Sequence, residues 1–400
     1  MEPVTAQDLE PTTAPQLFGG SLMSPVPDPY GVYRRLRHEQ PVVALQGFLG
    51  TSYMVTRYAH VVAALKDPAV YSSRGNARGI GLVMGRTILE MEGKEHQRHR
   101  KIVTPAFSPR ALRSGIETTI DEIVHGLIDG FARDGRADLV SQFTFTFPLR
   151  VMARIIGIPI DDFDAFHHQA LALISVADDP QKGLTAAQWI IDYLRPILHA
   201  RRDEPRDDLM STLAHAEVEG ERLTDDEVLS FLRLLLPAGA ETTYRLTGST
   251  LFACLSHPEV LAQVRADPNT MDAVIEEVLR WESPVQYVSR EVTRPVDLDG
   301  WEVPEGGLIM FAIGSANRDE TRFEDPDRFV LNRSNIGDHV AFGFGEHFCA
   351  GSHLGRLEAR MAVPALLDRL PNLRLDPAEA CRMVGLAFRS PDRLPVLFGG

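Results

Sequence analysis

The sequence predicts a mainly α protein with a small β part (α+β), and three observations carry that expectation. Helical periodicity dominates the middle of the chain, strand-like runs cluster near its two ends, and the longest helical stretch opens with a capping box. With 400 residues but no Gly/Ser linker, low-complexity tract or repeat, the chain is expected to form a single domain over 1–400.

Residues 1–20 begin "MEPVTAQDLEPTTAPQ", acidic and rich in Pro and Thr without an apolar core. That composition fits a disordered tail and neither a signal peptide nor an anchor. "PVVAL" (Pro41 to Leu45) and "SYMVT" (Ser52 to Thr56) read as strands bounded by turn residues. Helical spacing then covers Arg110 to Phe131, Ser141 to Ile156, Ala186 to Arg201, Thr224 to Ser256 and Met271 to Trp281. The late run Val296 to Ile313 reads as a hairpin.

The longest helix is capped by Thr224 with Glu227 three residues later, and its length to Ser256 is roughly 50 Å. Pro237 and Gly239 weaken its backbone ladder just before Glu241, Thr242 and Thr243. A solvent-facing polar turn is one reading of that interruption. The flanks, Leu234 to Leu236 and Leu251 to Phe252, are apolar nearly all round, which favours a buried, kinked helix bringing an acid and a hydroxyl to a groove.

Bulk composition narrows the function class. Basic residues number 41 against 55 acidic, a formal net charge of −14 that argues against a phosphate-neutralising nucleic-acid binder. No run approaches the roughly 18 apolar residues of a spanning helix, so no membrane is expected. Three cysteines, Cys254, Cys349 and Cys381, supply no disulfide framework and suit a reducing, cytoplasmic compartment.

One of those cysteines stands in "FGFGEHFCAG", Phe342 to Gly351, where Gly343, Gly345 and Gly351 offer positive φ or close backbone approach. Apolar residues at Leu354, Leu357, Met361, Ala365 and Leu366 then predict a buried helix face. Cys349 thus lies at a helix start, where N–H groups and the helix dipole favour a thiolate. Three readings compete: an inert buried cysteine, a zinc site with His347 and His353, and an axial thiolate to haem iron. Zinc lacks a fourth ligand and a C-x-x-C knuckle; C-x-x-C-H is absent, so any haem would be held without covalent attachment. Two further pairs are Glu277 with Arg280 at i,i+3, able to form an ion pair, and His96 with Arg100 at i,i+4, able to hold one anion.

Together these segments resemble the cytochrome P450 family of haem-thiolate monooxygenases, in its soluble bacterial branch. Phe342 to Gly351 matches F-G-x-G-x-H-x-C-x-G at every specified position, and Ala238, Gly239, Glu241, Thr242 and Thr243 match A-G-x-[DE]-T-T. Glu277 and Arg280 match E-x-x-R, and "ANRDETRFEDPDRF" looks like the family's meander; the resemblance covers roughly residues 20 to 398. It implies heme b with Cys349 as the axial thiolate on iron, and His96, Arg100, Arg290 and His347 on the propionates. Phe342, Gly343 and Ala238 would also bind the haem, and Glu277 with Arg280 would be a buried structural pair. Thr242 would organise water on the distal side while Glu241 relays protons. Pocket walls would include Val83, Ile174, Val285, Val288 and Leu386, mostly apolar, implying a lipophilic small-molecule substrate.

O2 is the implied co-substrate. The length leaves no room for a fused flavin domain, so a separate ferredoxin served by an NAD(P)H-dependent reductase is the expected electron donor. Arg98, Lys101, Arg110, Arg113, Arg356 and Arg360 are candidates for its docking patch. The alternatives are a peroxide-driven peroxygenase, against which the Glu241–Thr242 pair speaks, and a non-catalytic haem-based ligand sensor.

Overall fold

The computed structural model describes residues 10–159 and 163–399, and its centre is one long helix. Eleven of its helices position the site and its supports. They are α1 (Ala14–Phe18), α2 (Tyr30–Glu39), α3 (Tyr58–Lys66), α4 (Gly93–Val103), α5 (Glu117–Asp129), α6 (Phe147–Ile156), α7 (Phe163–Ile174), α8 (Pro180–Asp203), α9 (Asp225–Ser256), α10 (Thr270–Trp281) and α11 (Ser352–Arg369). Five strands, β1 (Val42–Gly47), β2 (Gly50–Val55), β3 (Tyr71–Ser72), β4 (Val288–Val292) and β5 (Leu308–Phe311), form one sheet in the order β1-β2-β5-β4-β3. The expected mainly α architecture with a small β part is present.

Helix α9 runs 32 residues, about 48 Å, and its N-terminus is closed by the expected box. The Thr224 side chain accepts from the Glu227 N–H, and the Glu227 carboxylate accepts the Thr224 N–H at 2.7 Å. Pro237 lies inside a continuous helix, and its missing N–H removes one ladder bond. The helix packs against α6, α8, α10 and α11, which explains an apolar surface on nearly every face. Its exposed or half-exposed middle positions, Ala238, Gly239 and Thr242, share one side and interrupt that burial.

The sheet places cavity residues by register. Ile309 of β5 pairs in parallel with Tyr53 of β2 and antiparallel with Arg290 of β4. Strand period two then puts Val288 and Arg290 on the same face. The run from Val296 to Ile313 is not one hairpin: Val296–Asp297 pairs only with Glu302–Val303, and β5 instead joins β2 and β4. Helical spacing over Arg110 to Phe131 is likewise interrupted, because Gly115 takes φ 147° before α5 begins.

The expected disordered tail does not extend to residues 10–20, while residues 1–9 lie outside the described residues. The Thr12 N–H donates to the Ala44 carbonyl at 3.0 Å, Thr13 caps α1, and the Phe18 ring packs edge-on against Tyr33 at 5.4 Å. Buried apolar contact outweighs a polar composition in that segment. Among the described residues, no helix is long and apolar enough to cross a membrane.

Helix α10 holds the pair Glu277–Arg280, 1% and 0% exposed. Arg280 Nε and Nη2 donate to Glu277 at 2.8 and 2.7 Å, Arg333 Nε adds a bond at 2.9 Å, and the Val330 N–H another at 2.9 Å. Arg280 also donates to the carbonyls of Asn317, Pro326 and Arg328, stapling the segment that precedes the Cys349 loop. Replacing Glu277 with Ala leaves two buried guanidinium groups uncompensated. Glu277→Ala should lower the unfolding free energy by about 3–5 kcal/mol, measured by urea titration.

Candidate active site

One cavity of about 320 Å³ gathers most of the residues singled out in the sequence. From α9 come Ala238, Gly239, Thr242 and Thr243; from β4 and the turn before it, Val285, Val288 and Arg290; from α4, Arg100. The loop before α11 contributes Phe342, Gly343, His347 and Cys349. Cys349 is exposed only in the sense that it faces this interior, with Leu354 and Gly355 of α11 beside it.

The loop's shape is set by its glycines. Gly343 and Gly345 have φ of 70° and 74°, and a Cβ at Gly345 would stand 2.5 Å from the Leu65 carbonyl oxygen of α3. The Cys349 N–H donates to the Phe342 carbonyl at 2.9 Å, which folds the loop back on itself. Helix α11 starts at Ser352, three residues beyond the cysteine. The sequence expectation of a thiolate made by the helix start alone therefore needs correction. Burial pushes the Cys349 thiol up, while the Gly351 N–H, Arg100 and Arg356 pull it down, and burial wins. A bound cation is what would hold this sulfur as an anion.

At the cavity edge four groups able to carry positive charge converge. His96, 1% exposed, stacks its ring 4.2 Å from that of His347. Neither nitrogen of His96, nor Nε2 of His347, has a hydrogen-bond partner among the described residues. The Glu346 carboxylate lies 3.6 Å from His347 Nε2, beyond hydrogen-bonding reach. Burial, then Arg290, His96 and Arg100, bring His347 down to about 3, and burial followed by Arg100 lowers His96. Arg290 and Arg100 are also lowered by burial, and neither has an ion-pair partner among the described residues. Arg100 Nη2 does donate to the Phe348 carbonyl. Such a cluster is complementary to an anionic ligand with two carboxylates.

His96, Glu346 and His347 also bring potential ligand atoms within 4.8 Å of one another. Two flanking guanidinium groups make that corner hostile to a cation. Cys349 and His353 do not join this cluster, so the zinc set considered from sequence is not assembled.

Several predicted residues fall elsewhere. Glu241 does not line the cavity: it is 2% exposed, accepts from Arg245 Nη2 at 3.3 Å and lies 4.0 Å from His167 Nε2. Burial raises its pKa, against the pull of Arg245. Val83 is fully buried, packed against α8 at Gly183, and its carbonyl accepts from Arg233 at 2.9 Å. Leu386 is buried in the cluster around Tyr33, Met54 and Met310; its neighbours Ala387 and Phe388 line a second cavity instead. That second cavity, about 480 Å³, holds Ile174 and shares Leu89, Val285, Val288 and Arg290 with the first.

Sequence reasoning missed other contributors. Met152, Leu234 and Leu235 line the inner cavity, and Ser21 to Met23 with Phe48 line the outer one. Arg333, the third member of the buried charge cluster, carried no spacing signal, since its partner lies 56 residues away. In the expected docking patch, Arg98, Arg356 and Arg360 are paired with Glu219, Glu276 and Asp272. Lys101, Arg110 and Arg113 have no ion pair among the described residues.

Comparison with known proteins agrees with this geometry. The family model described as Cytochrome P450 matches residues 160–379. The chain is 37% identical over 380 residues to cytochrome P450 monooxygenase PikC of Streptomyces venezuelae, covering 92% of this chain and 91% of that protein. It is 35% identical over 387 residues to cytochrome P450 107B1 of Saccharopolyspora erythraea, covering 92% and 95%. The structure of P450BioI in complex with hexadec-9Z-enoic acid ligated acyl carrier protein superposes with a TM-score of 0.84 at 32% identity, covering 93% and 99%.

Beside the site, Glu276 of α10 receives Arg356 Nε at 2.6 Å and lies 3.0 Å from His339 Nε2, tying α10 to both flanks of the cysteine loop. Burial alone would raise this carboxyl, but the bonds from Arg356 and His339 bring it to about 2. A depressed carboxyl contributes stability above its unfolded value of about 4.3, lost as pH falls through the folded value. The wild type should therefore lose about 1–3 kcal/mol more than Glu276→Gln between pH 5 and pH 2, measured by chemical unfolding at each pH.

Proposed function

The chain belongs to the cytochrome P450 family of haem-thiolate monooxygenases, and from that premise we propose that it inserts one oxygen atom of O2 into an elongated lipophilic small molecule. The observation that carries the proposal is a single cavity with the Cys349 sulfur on one wall, the Thr242 face of α9 on another, and the buried cationic cluster at its edge. These residues fit a haem: sulfur for the iron, and His96, Arg100, Arg290 and His347 for the propionates. Phe342, Gly343 and Ala238 supply close apolar and backbone contact. When bound, the haem iron with its thiolate supplies the O–O cleavage chemistry.

The chain's own contribution is to exclude bulk water and move protons. Leu234, Leu235, Val285 and Val288 make the space above the haem site apolar, which strengthens every polar contact left inside. Thr242 Oγ1 donates to the Ala238 carbonyl at 2.8 Å, so its lone pairs face the cavity and can hold a water there. Glu241, one position earlier, lies about 100° round the helix and serves as the acid behind that water.

Substrate class is read from the joined cavities. They abut at Leu89, Val285, Val288 and Arg290, with an apolar end near Thr242 and Ser21, Asn76 and Asp178 lining the outer one. A lipophilic chain or ring system with a polar far end suits that shape. P450BioI is in complex with hexadec-9Z-enoic acid ligated acyl carrier protein, and a long lipophilic chain of that kind belongs to the class proposed here. We assign electron supply to NAD(P)H through a ferredoxin and its reductase, docking on the face that carries Lys101, Arg110 and Arg113, which have no ion pair among the described residues. Three free cysteines support a reducing, cytoplasmic location.

Thr242→Ala should retain haem and ligand binding, because its lost hydrogen bond is local to one helical turn. Product formed per NAD(P)H should fall severalfold, with the missing oxygen recovered as hydrogen peroxide. Full coupling in this variant would remove Thr242 from the proposed role. Higher turnover with peroxide than with the ferredoxin system would favour the peroxygenase alternative.

A further inference from the structure

We propose that His167 is a positioning residue that loads protons onto Glu241 from the solvent side, an inference resting on the monooxygenase reading. The cluster that carries it is a second layer behind α9, separate from the haem cavity. His167, on α7, places Nε2 4.0 Å from Glu241 Oε1, and its ring stacks on Phe145 with centroids 3.5 Å apart. Stacking fixes the plane of the imidazole and so the direction of its nitrogen. The Tyr244 ring meets Phe145 edge-on at 5.3 Å, and Arg245 spans Glu241 and the Ser390 hydroxyl, the latter at 3.1 Å.

Glu241 needs a source of protons, because its own contact with solvent is 2% of its surface. Among the described residues, the charged or titratable groups set against it are Arg245 and Tyr244 of its own helix and His167 of α7; beside His167 on α7 lies the exposed His168. Arg245 cannot serve, since a guanidinium does not release a proton in the neutral range. Tyr244 cannot either, since burial drives its phenol above the usual value of about 10. Of these side-chain types, imidazole is the one that ordinarily exchanges a proton near neutral pH. His167 keeps 9% of its surface in contact with solvent, so it stands between water and the buried acid.

The step balances without any electron transfer. The His167 imidazolium gives its Nε2 proton to the Glu241 carboxylate and becomes neutral imidazole. Glu241 passes a proton to water at the Thr242 hydroxyl and returns to carboxylate, and His167 takes a replacement from solvent. The 4.0 Å separation is spanned by one water or by a side-chain shift of about 1 Å, the kind of tightening expected when a substrate is bound.

Three variants and one spectroscopic measurement decide the matter. His167→Gln should slow product formation about tenfold and raise the solvent isotope effect, with the substrate dissociation constant unchanged. His167→Arg keeps the positive charge beside Glu241 but cannot release its proton, so it should be slow as well; full activity in His167→Arg would reduce the role to charge pairing and overturn the proposal. Independently of turnover, the ring nitrogens of His167 can be titrated by NMR in the reduced, carbon monoxide-bound protein. Glu241→Gln should lower the His167 midpoint, because an anionic neighbour favours imidazolium. An unchanged midpoint would overturn the relay. A wild type that makes no oxygenated product would instead remove the monooxygenase reading, while the ring titration would still report whether the two residues are coupled.

Discussion

Four groups able to carry positive charge meet at one edge of a mostly apolar cavity, His96 and Arg290 buried and Arg100 and His347 half-buried, and neither guanidinium has an ion pair among the described residues. Burying such groups is costly unless an anion meets them. The protein reaches them from three segments: two from α4, one from β4 and one from the glycine loop. A haem would be held there, its two propionates meeting the cluster and its iron facing the Cys349 sulfur. On that proposal, cofactor binding would complete the fold in this part of the molecule.

The surrounding scaffold holds this arrangement without taking part in it. Glu277, Arg280 and Arg333 fix the segment that leads into the cysteine loop, and Glu276 joins the same loop to α10 and α11. Helix α9 divides the site into two layers. On one side Thr242 meets the cavity; on the other, Glu241 is held by Arg245 with His167 close by. In the proposed mechanism the helix would separate the apolar space for oxygen chemistry from the polar layer that supplies protons.

What was legible in the sequence had short range. The Thr224 cap, the length of α9, the Cys349 loop and the Glu277–Arg280 pair are all written in spacings of a few residues. The same holds for His96 and Arg100, one turn apart on α4. Arg290 could be read only through resemblance, because its place depends on β4 pairing with β5. Contacts spanning long separations were not legible: Arg333 with Glu277, Ser21 with Asp178, and Thr12 with Ala44. Val83 and Leu386 show the limit: Ile88, Ala387 and Phe388 nearby line the cavities while these two do not. Resemblance gives the segment that borders a pocket, whereas rotation about the chain decides which of its side chains faces inward.

Cys349 as the ligand of a haem held by the cationic edge is the central assignment. Its most direct test is the absorption spectrum of the reduced protein under carbon monoxide, recorded for the wild type and for Cys349→Ser. The wild type should show the red-shifted Soret band of thiolate-ligated haem, and Cys349→Ser should lose it while the fold is retained. A wild-type band at the position of histidine-ligated haem, or the red-shifted band persisting in Cys349→Ser, would contradict the assignment.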